Sequence, residues 1–294
     1  MRFATFNVLH GRPIQDGRPL PAPAGAAADP LAEAVASLDA DVLALQEVDR
    51  LQERSGRVDQ ALVAAAALAA KDWRYASALH GRPVPGQGWV LDPAASRLRV
   101  YGPGEPADAA PGGIPSHGIA LLTRLPARDW RALRLAPAPL RLPLRVPGRP
   151  GLIPVHDQPR AALAAVLEGG RGPFTVVAVH LSFVPGWNVG QLVAVHRWIA
   201  DLPRPHLLLG DVNLVGPVPG IVLSGAEVAR QLGSRVPPER WRDLARAPTY
   251  PSHRPVVQFD HVLAAGVAPD AVRSVSTPAT PISDHRPIVA ELAL

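Results

Sequence analysis

The chain has 294 residues, 47% hydrophobic and 19% charged, which is enough apolar material for a sizeable core and excludes disorder by composition. It holds no cysteine, so disulfides, thiolate zinc sites and cysteine nucleophiles are excluded together, and any metal must rest on oxygen or imidazole. The formal net charge is +5 and Lys71 is the only lysine among 30 basic residues. The arginine excess suits phosphate oxygens, or follows from a compositional bias that also raises Ala, Pro and Gly.

Residues Arg2 to Val8 read as a short strand stopped by His10-Gly11. Asp29-Pro30 opens a helix to about Leu38, with Asp as N-cap and Pro at the first helical position. Asp41 to Gln46 is a buried strand ending in Glu47, and an Ala- and Leu-rich helix is expected from about Asp59 to Ala70. Gly81 to Pro115, with seven prolines and seven glycines, is expected to be a surface insertion without regular elements. Ile119 to Thr123 is a strand, and a second Pro- and Arg-rich stretch covers Ala136 to Pro159.

Strands follow at Arg160 to Leu167 and Phe174 to Val179, then a helix at about Gly190 to Ala200 and a strand at His206 to Leu209. A helical turn near Gly225 to Leu232 precedes strands at Gln258 to Leu263, Val272 to Ser276 and Pro287 to Leu292. No repeat period stands out, so residues 1–294 read as one mixed α/β domain with Pro/Gly-rich loops near 81–115 and 136–159. The longest apolar stretch, around Leu62 to Ala70, falls far short of the roughly 18 residues that span a bilayer. No secretory signal precedes the first strand, so a cytoplasmic location and no transmembrane segment are expected.

Apolar strands repeatedly end in a polar group able to bind a metal or a phosphate. Asn7 closes the first, Glu47 the second, His180 the strand from Phe174, and Asp211 with Asn213 the strand from His206. Asp260 lies in Gln-Phe-Asp-His-Val-Leu, and Asp284-His285 precedes the final strand. Singly, Asn7, Asp211 and Asp284 are ordinary turn or cap residues, and His180 an ordinary core histidine. Glu47 has little turn preference, and the combination points to one polar cup.

Seven segments occur in an order that resembles the endonuclease/exonuclease/phosphatase superfamily. They are Thr5-Phe-Asn-Val-Leu-His-Gly11, Leu45-Gln-Glu-Val48, Gly118-Ile-Ala-Leu-Leu-Thr-Arg124, Val179-His-Leu181, Gly210-Asp-Val-Asn213, Gln258-Phe-Asp-His-Val262 and Ser283-Asp-His-Arg-Pro287. The resemblance implies a four-layered α/β sandwich, with two facing mixed sheets and helices on the outside. It also implies a divalent-metal-dependent hydrolase of phosphate esters, a phosphodiesterase or nuclease using in-line attack of water. The alternatives are a lipid-headgroup or small-molecule phosphodiesterase of sphingomyelinase type, and a catalytically silent binding module.

On this resemblance Glu47 and Asp284, with Asn7 beside them, hold Mg²⁺ or Mn²⁺, ions that prefer hard oxygen donors. Asp211 aligns or deprotonates the attacking water and Asn213 donates to a phosphate oxygen. Asp260 orients His285, whose cationic form stabilises the transition state, and His180 faces the phosphate from the other side. The implied partner is a phosphate-ester substrate, nucleic acid included; no protein partner is inferred.

Two departures narrow the subclass. The acid that abasic-site endonucleases carry two residues beyond the first Asn is Leu9 here, and none of Tyr75, Tyr101 and Tyr250 sits in the motif of their active-site tyrosine. The inositol phosphatase context around the second Asp is also absent. Phe183, Trp187 and Tyr250 either line the substrate mouth or pack. His10, His117, His253 and His261 read as loop or packing residues, and Arg128, Arg131, Arg134, Arg141, Arg145 and Arg149 as a solvated surface or a track for a polyanion.

Overall fold

The computed structural model describes residues 1–20, 29–84, 88–93, 97–104, 113–144, 151–232 and 237–294. Its first half runs β1 (Arg2–Asn7), β2 (Ile14–Gln15), β3 (Arg18–Pro19), α1 (Asp29–Leu38), β4 (Val42–Arg50), α2 (Gln60–Leu68), β5 (Asp72–Val84), β6 (Gly88–Leu91), β7 (Arg99–Tyr101) and β8 (Ser116–Thr123). The second half begins β9 (Ala127–Leu135), β10 (Arg141–Leu144), β11 (Ile153–His156), β12 (Arg160–Gly169), β13 (Gly172–His180), α3 (Trp187–Trp198), β14 (His206–Asp211) and α4 (Val218–Arg230). It ends with β15 (Arg242–Asp243), β16 (Asp260–Ala265), β17 (Val272–Ser276) and β18 (Ile288–Leu292).

Two mixed sheets result. One has the order β17-β18-β1-β4-β8-β5-β6 with β7 on β5, and the other the order β15-β16-β14-β13-β12-β9. The two-residue side-chain period of a strand sorts their apolar residues into three cores. Phe3, Val42, Ala44, Leu163, Ala165, Val176, Ala178, Leu207, Leu209, Val262 and Ile288 pack between the sheets. Ala4, Phe6, Leu43 and Leu45 turn the other way onto Leu31, Val35 and Leu38 of α1 and Ala61, Ala64 and Leu68 of α2. Ala162, Ala164, Val177, Val179, Leu208 and Leu263 turn outward from the second sheet onto Leu192 and Val195 of α3 and Leu223 of α4. Helix, sheet, sheet, helix is the four-layered sandwich expected.

The Pro- and Gly-rich stretches are more regular than composition suggests. Within 81–115, β5 continues to Val84 and pairs with β6, and β7 pairs with β5; residues 85–87, 94–96 and 105–112 lie outside the described residues. Gly81 permits the pairing, because at φ +140° its chain runs so close to β6 that a Cβ would sit 2.2 Å from the Val90 carbonyl oxygen. Within 136–159, β10 and β11 form a ribbon with Pro143 opposite Pro154, which a two-stranded ribbon tolerates because each strand keeps one edge unpaired; residues 145–150 lie outside the described residues.

Other boundaries shift. The edge strand β9 was not expected, α3 begins at Trp187, and α4 begins at Val218 with Pro219 in its first turn, where its missing N–H costs nothing. Among the described residues, no helix is long and apolar enough to cross a membrane.

Candidate active site

The alternation that fills the inter-sheet core also aims its last residues. Asn7 continues the inward series of Phe3 and Thr5, His180 that of Val176 and Ala178, Asp211 that of Leu207 and Leu209, and Asp260 that of Val262 and Ala264. Register then aligns them: His180 pairs with Asp211 across β13 and β14, and Asp211 with Asp260 across β14 and β16. Gly210 allows the strands to close up just before this rung, since a Cβ there would meet the Val179 carbonyl oxygen at 2.0 Å.

Glu47 reaches the site by a different device. Leu45 pairs with Ala120 and Val48 with Gly118, so Gln46 and Glu47 together oppose Ile119. This is a β-bulge, with Glu47 at φ +56°. The bulge reverses the alternation of β4. Val48 joins the helix-side core, while Glu47 and Asp49 fall on the inter-sheet side.

One hydrogen-bonded network joins the two sheets. Asn7 Nδ2 donates to Glu47 Oε1 at 3.1 Å and to Asp211 Oδ2 at 3.2 Å, and Asn7 Oδ1 accepts from Leu9 N. The other Asp211 oxygen accepts from Asn213 N at 3.0 Å, and Asn213 Nδ2 donates to the Leu181 carbonyl at 3.1 Å. His285 Nδ1 donates to Asp260 Oδ2 at 2.8 Å, and Thr249 Oγ1 donates to the same oxygen at 2.6 Å. Ser283 Oγ donates to the Asn7 carbonyl and accepts from His285 N, tying the loop before β18 to the end of β1. Tyr250 packs on the His285 ring at 5.1 Å between centroids.

These contacts set the charges. Burial pushes the Asp211 carboxyl up and Asp260 adds to this, against the opposing pull of His285 and Asn7. Burial and the charges of Glu47 and Asp260 likewise raise Asp284 over the opposition of His285. Burial would raise Glu47 too, but His117, His10, Asn7 and His285 outweigh it and hold Glu47 low. Burial would lower His285, but Asp260, Asp211 and Asp284 push it up to about 10, so its ring is an imidazolium. His180 is driven well below its usual range by burial and then by Arg160, so it is neutral.

Among the described residues, Asp211, Asp260 and His285 form a cluster whose ligand atoms all lie within 4.8 Å of one another. The donor set as a whole fits a hard divalent cation. Glu47, Asp211, Asp260 and Asp284 converge on one imidazolium, and Asp260 Oδ1 is buried without a hydrogen-bond partner. A cation of charge two would balance that anionic excess.

All the residues expected from the strand ends therefore meet at one mouth. Sequence reasoning missed Arg160, the first residue of β12, whose Nη1 lies 3.1 Å from both ring nitrogens of His180. Its position at the start of a strand antiparallel to β13 was a usable signal, because that end lies beside His180. His10 and His117 stand close enough to Glu47 for a charge on either ring to bear on its carboxyl. His261 is a packing residue, bonded to Asp243 and to the Leu214 carbonyl. In the basic stretch, Arg128 pairs with Glu168 and Arg131 with Asp201, while Arg145 and Arg149 lie outside the described residues.

Residues 4–285 match the family described as Endonuclease/Exonuclease/phosphatase family. No curated protein matches the chain. Among solved structures, an endonuclease/exonuclease/phosphatase from Beutenbergia cavernae DSM 12333 is 20% identical, the match covering 100% of this chain and 71% of that one at a TM-score of 0.55. A functionally unknown conserved protein from Enterococcus faecalis V583 is 19% identical over 100% of this chain and 99% of its own, with a TM-score of 0.57. The mannosyl-6-phosphatase of Bacteroides thetaiotaomicron VPI-5482 is 16% identical over 100% of both chains, with a TM-score of 0.54. At these identities the likeness establishes the fold.

Proposed function

The chain belongs to the endonuclease/exonuclease/phosphatase family, and from that premise we propose that it is a divalent-metal-dependent phosphodiesterase that cleaves its ester by in-line attack of water. The observation that carries the reading is the Asn7 amide, which bonds Glu47 of one carboxylate group and Asp211 of the other and so holds both at one point. Glu47 and Asp284, with Asn7 beside them, would hold Mg²⁺ or Mn²⁺. When bound, such an ion neutralises phosphoryl oxygens and stabilises a departing alkoxide.

The chain's own groups supply the rest. Asp211, raised toward neutrality and aimed by the amides of Asn7 and Asn213, takes the proton of the attacking water. The His285 imidazolium, with Nδ1 on Asp260, directs its other N–H at the phosphate, where negative charge grows as the bond to water forms. Arg160 adds a fixed positive charge beside the neutral His180, suited to the oxygens of the same phosphate. Water as the nucleophile requires no covalent phosphoenzyme.

Nucleic acid is the first substrate class of this reading. A small phosphate ester is the second, and the ion pairs of Arg128 with Glu168 and Arg131 with Asp201 count toward it, because they engage two of the cations a polyanion would follow. The test is hydrolysis of single- and double-stranded DNA, RNA, sphingomyelin, sugar phosphates and bis(p-nitrophenyl) phosphate with Mg²⁺, Mn²⁺ or EDTA, with Asp211→Asn as the blank. Binding that falls steeply with salt marks a nucleic-acid enzyme, through counterion release. Turnover that survives EDTA or Asp211→Asn overturns the proposal.

A further inference from the structure

The site holds a second Asp–His pair. His117 continues the inward series of Ile119 and Leu121 on β8, and the β4 bulge brings Asp49 directly opposite it across the ladder. His117 Nδ1 lies 2.7 Å from Asp49 Oδ1. Asp49 is wholly buried and held as a carboxylate by Arg54, whose Nε and Nη2 donate to its two oxygens at 2.8 Å, and by Ser55 Oγ. Arg54 Nη2 lies 3.3 Å from the same ring nitrogen, but the Asp49 oxygen is nearer at 2.7 Å and a carboxylate so held can only accept, so Nδ1 carries the proton and Nε2 stays clear of Asp49. No described residue hydrogen-bonds that nitrogen. The Trp89 ring, 5.4 Å from the imidazole and 5.2 Å from the Arg54 guanidinium carbon, fixes its tilt.

This repeats the Asp260–His285 arrangement on the Glu47 side of the mouth. Of the histidines there, His180 is kept neutral by burial and Arg160, and His10 is pushed down to about 4 by burial and Arg54. His117 and His285 are the two with a carboxylate at Nδ1. His117 lies within electrostatic reach of both Glu47 and His180.

We propose that His117 is a further substrate-contacting residue, anchored by Asp49 at Nδ1 and donating from Nε2 to an oxygen of the phosphate ester on the flank opposite His285. The proposal rests on the phosphoesterase reading above and adds to it a second directed imidazole donor. Loss of one donor aimed at developing charge costs about 10²- to 10³-fold in turnover.

Two amide substitutions separate contact from support. In His117→Asn the side-chain amide falls near the Nδ1 position and keeps a donor to Asp49; in His117→Gln it falls near Nε2 and keeps a donor to the cavity. With bis(p-nitrophenyl) phosphate and Mg²⁺, His117→Asn should lose about 10²-fold in kcat/KM at an unchanged melting temperature, while His117→Gln stays within about tenfold of wild type. The reverse order, wild-type rates in both variants, or losses that track a fall in melting temperature would overturn the proposal.

A binding measurement stands apart from turnover. Addition of inorganic phosphate with Mg²⁺ should shift the His117 Nε2 resonance, identified by its absence in His117→Asn, and an unmoved resonance overturns the contact. If phosphate shifts it but no ester is hydrolysed, the phosphoesterase reading falls and the contact stands.

Discussion

Replacing Asp260 with Asn removes one charge from the site while leaving an oxygen able to accept from His285 Nδ1 and from Thr249 Oγ1. In the wild type, burial opposes the imidazolium and Asp260 is the largest influence favouring it, with the result that a ring of ordinary value 6.5 holds its proton to about 10. At about 1.4 kcal/mol for each tenfold change, this is worth on the order of 5 kcal/mol in favour of the charged ring. The sign follows from linkage. The folded value lies above the unfolded one, so the contribution to stability is complete below 6.5 and is lost as pH rises through about 10.

In Asp260→Asn burial gains the upper hand, and the His285 midpoint should fall by roughly 2 to 3 pH units. An NMR titration of the His285 Cε1 proton reads this directly in wild type and variant. Melting temperature followed from pH 6.5 to 10 should decline in the wild type and decline less in the variant. Turnover at neutral pH should drop by about 10²- to 10⁴-fold. A His285 midpoint that stays near its wild-type position after the charge is removed would refute the reasoning.

Glu47→Gln should raise the magnesium concentration needed for half-maximal activity by about tenfold or more, because a neutral amide is a poorer ligand for a hard cation than a carboxylate; an unchanged magnesium titration counts against the assignment. Arg160→Gln removes the cation beside His180, so the His180 midpoint should rise toward its ordinary 6.5. The same NMR experiment tests this, and a His180 that remains fully depressed means that burial alone holds it neutral. On the outer helical layer, buried Glu227 accepts from His196, Arg204, Arg230 and Gln231. Glu227→Ala should therefore cost about 3 kcal/mol or more, read by chemical denaturation, with kcat unchanged because the residue lies outside the mouth.

The strand ends were legible because a polar residue that follows an apolar run breaks a pattern, and a broken pattern is visible in one dimension. Asn7, Glu47, His180 and Asp211 stand out this way, while Asp260 and His285, at or just before the starts of strands, were picked out by the motifs of the family resemblance. Arg160 and His117 do not, since each begins or precedes an apolar run amid Pro- and Gly-rich neighbours, where a basic residue looks like solvated surface. The proline-rich stretches misled for a related reason. Composition registers the missing N–H groups but not whether a partner strand needs them, and the ribbon of Pro143 and Pro154 needs few.

The amino-acid order alone determined which residues could face the inter-sheet space and which the helices, because side-chain alternation along a strand is a local property with a period of two. It also determined that the facing ends would be rich in carboxylate, amide and imidazole. Only the tertiary structure decided how those groups are charged and which of them touch. The bulge that reverses β4 and swings Glu47 and Asp49 inward, the burial and the Arg160 guanidinium that keep His180 neutral, and the Asp260 carboxylate that keeps His285 charged depend on distances between strands far apart in the chain. Electrostatic energies follow those distances and the depth of burial, and neither quantity exists until the two sheets have closed on each other.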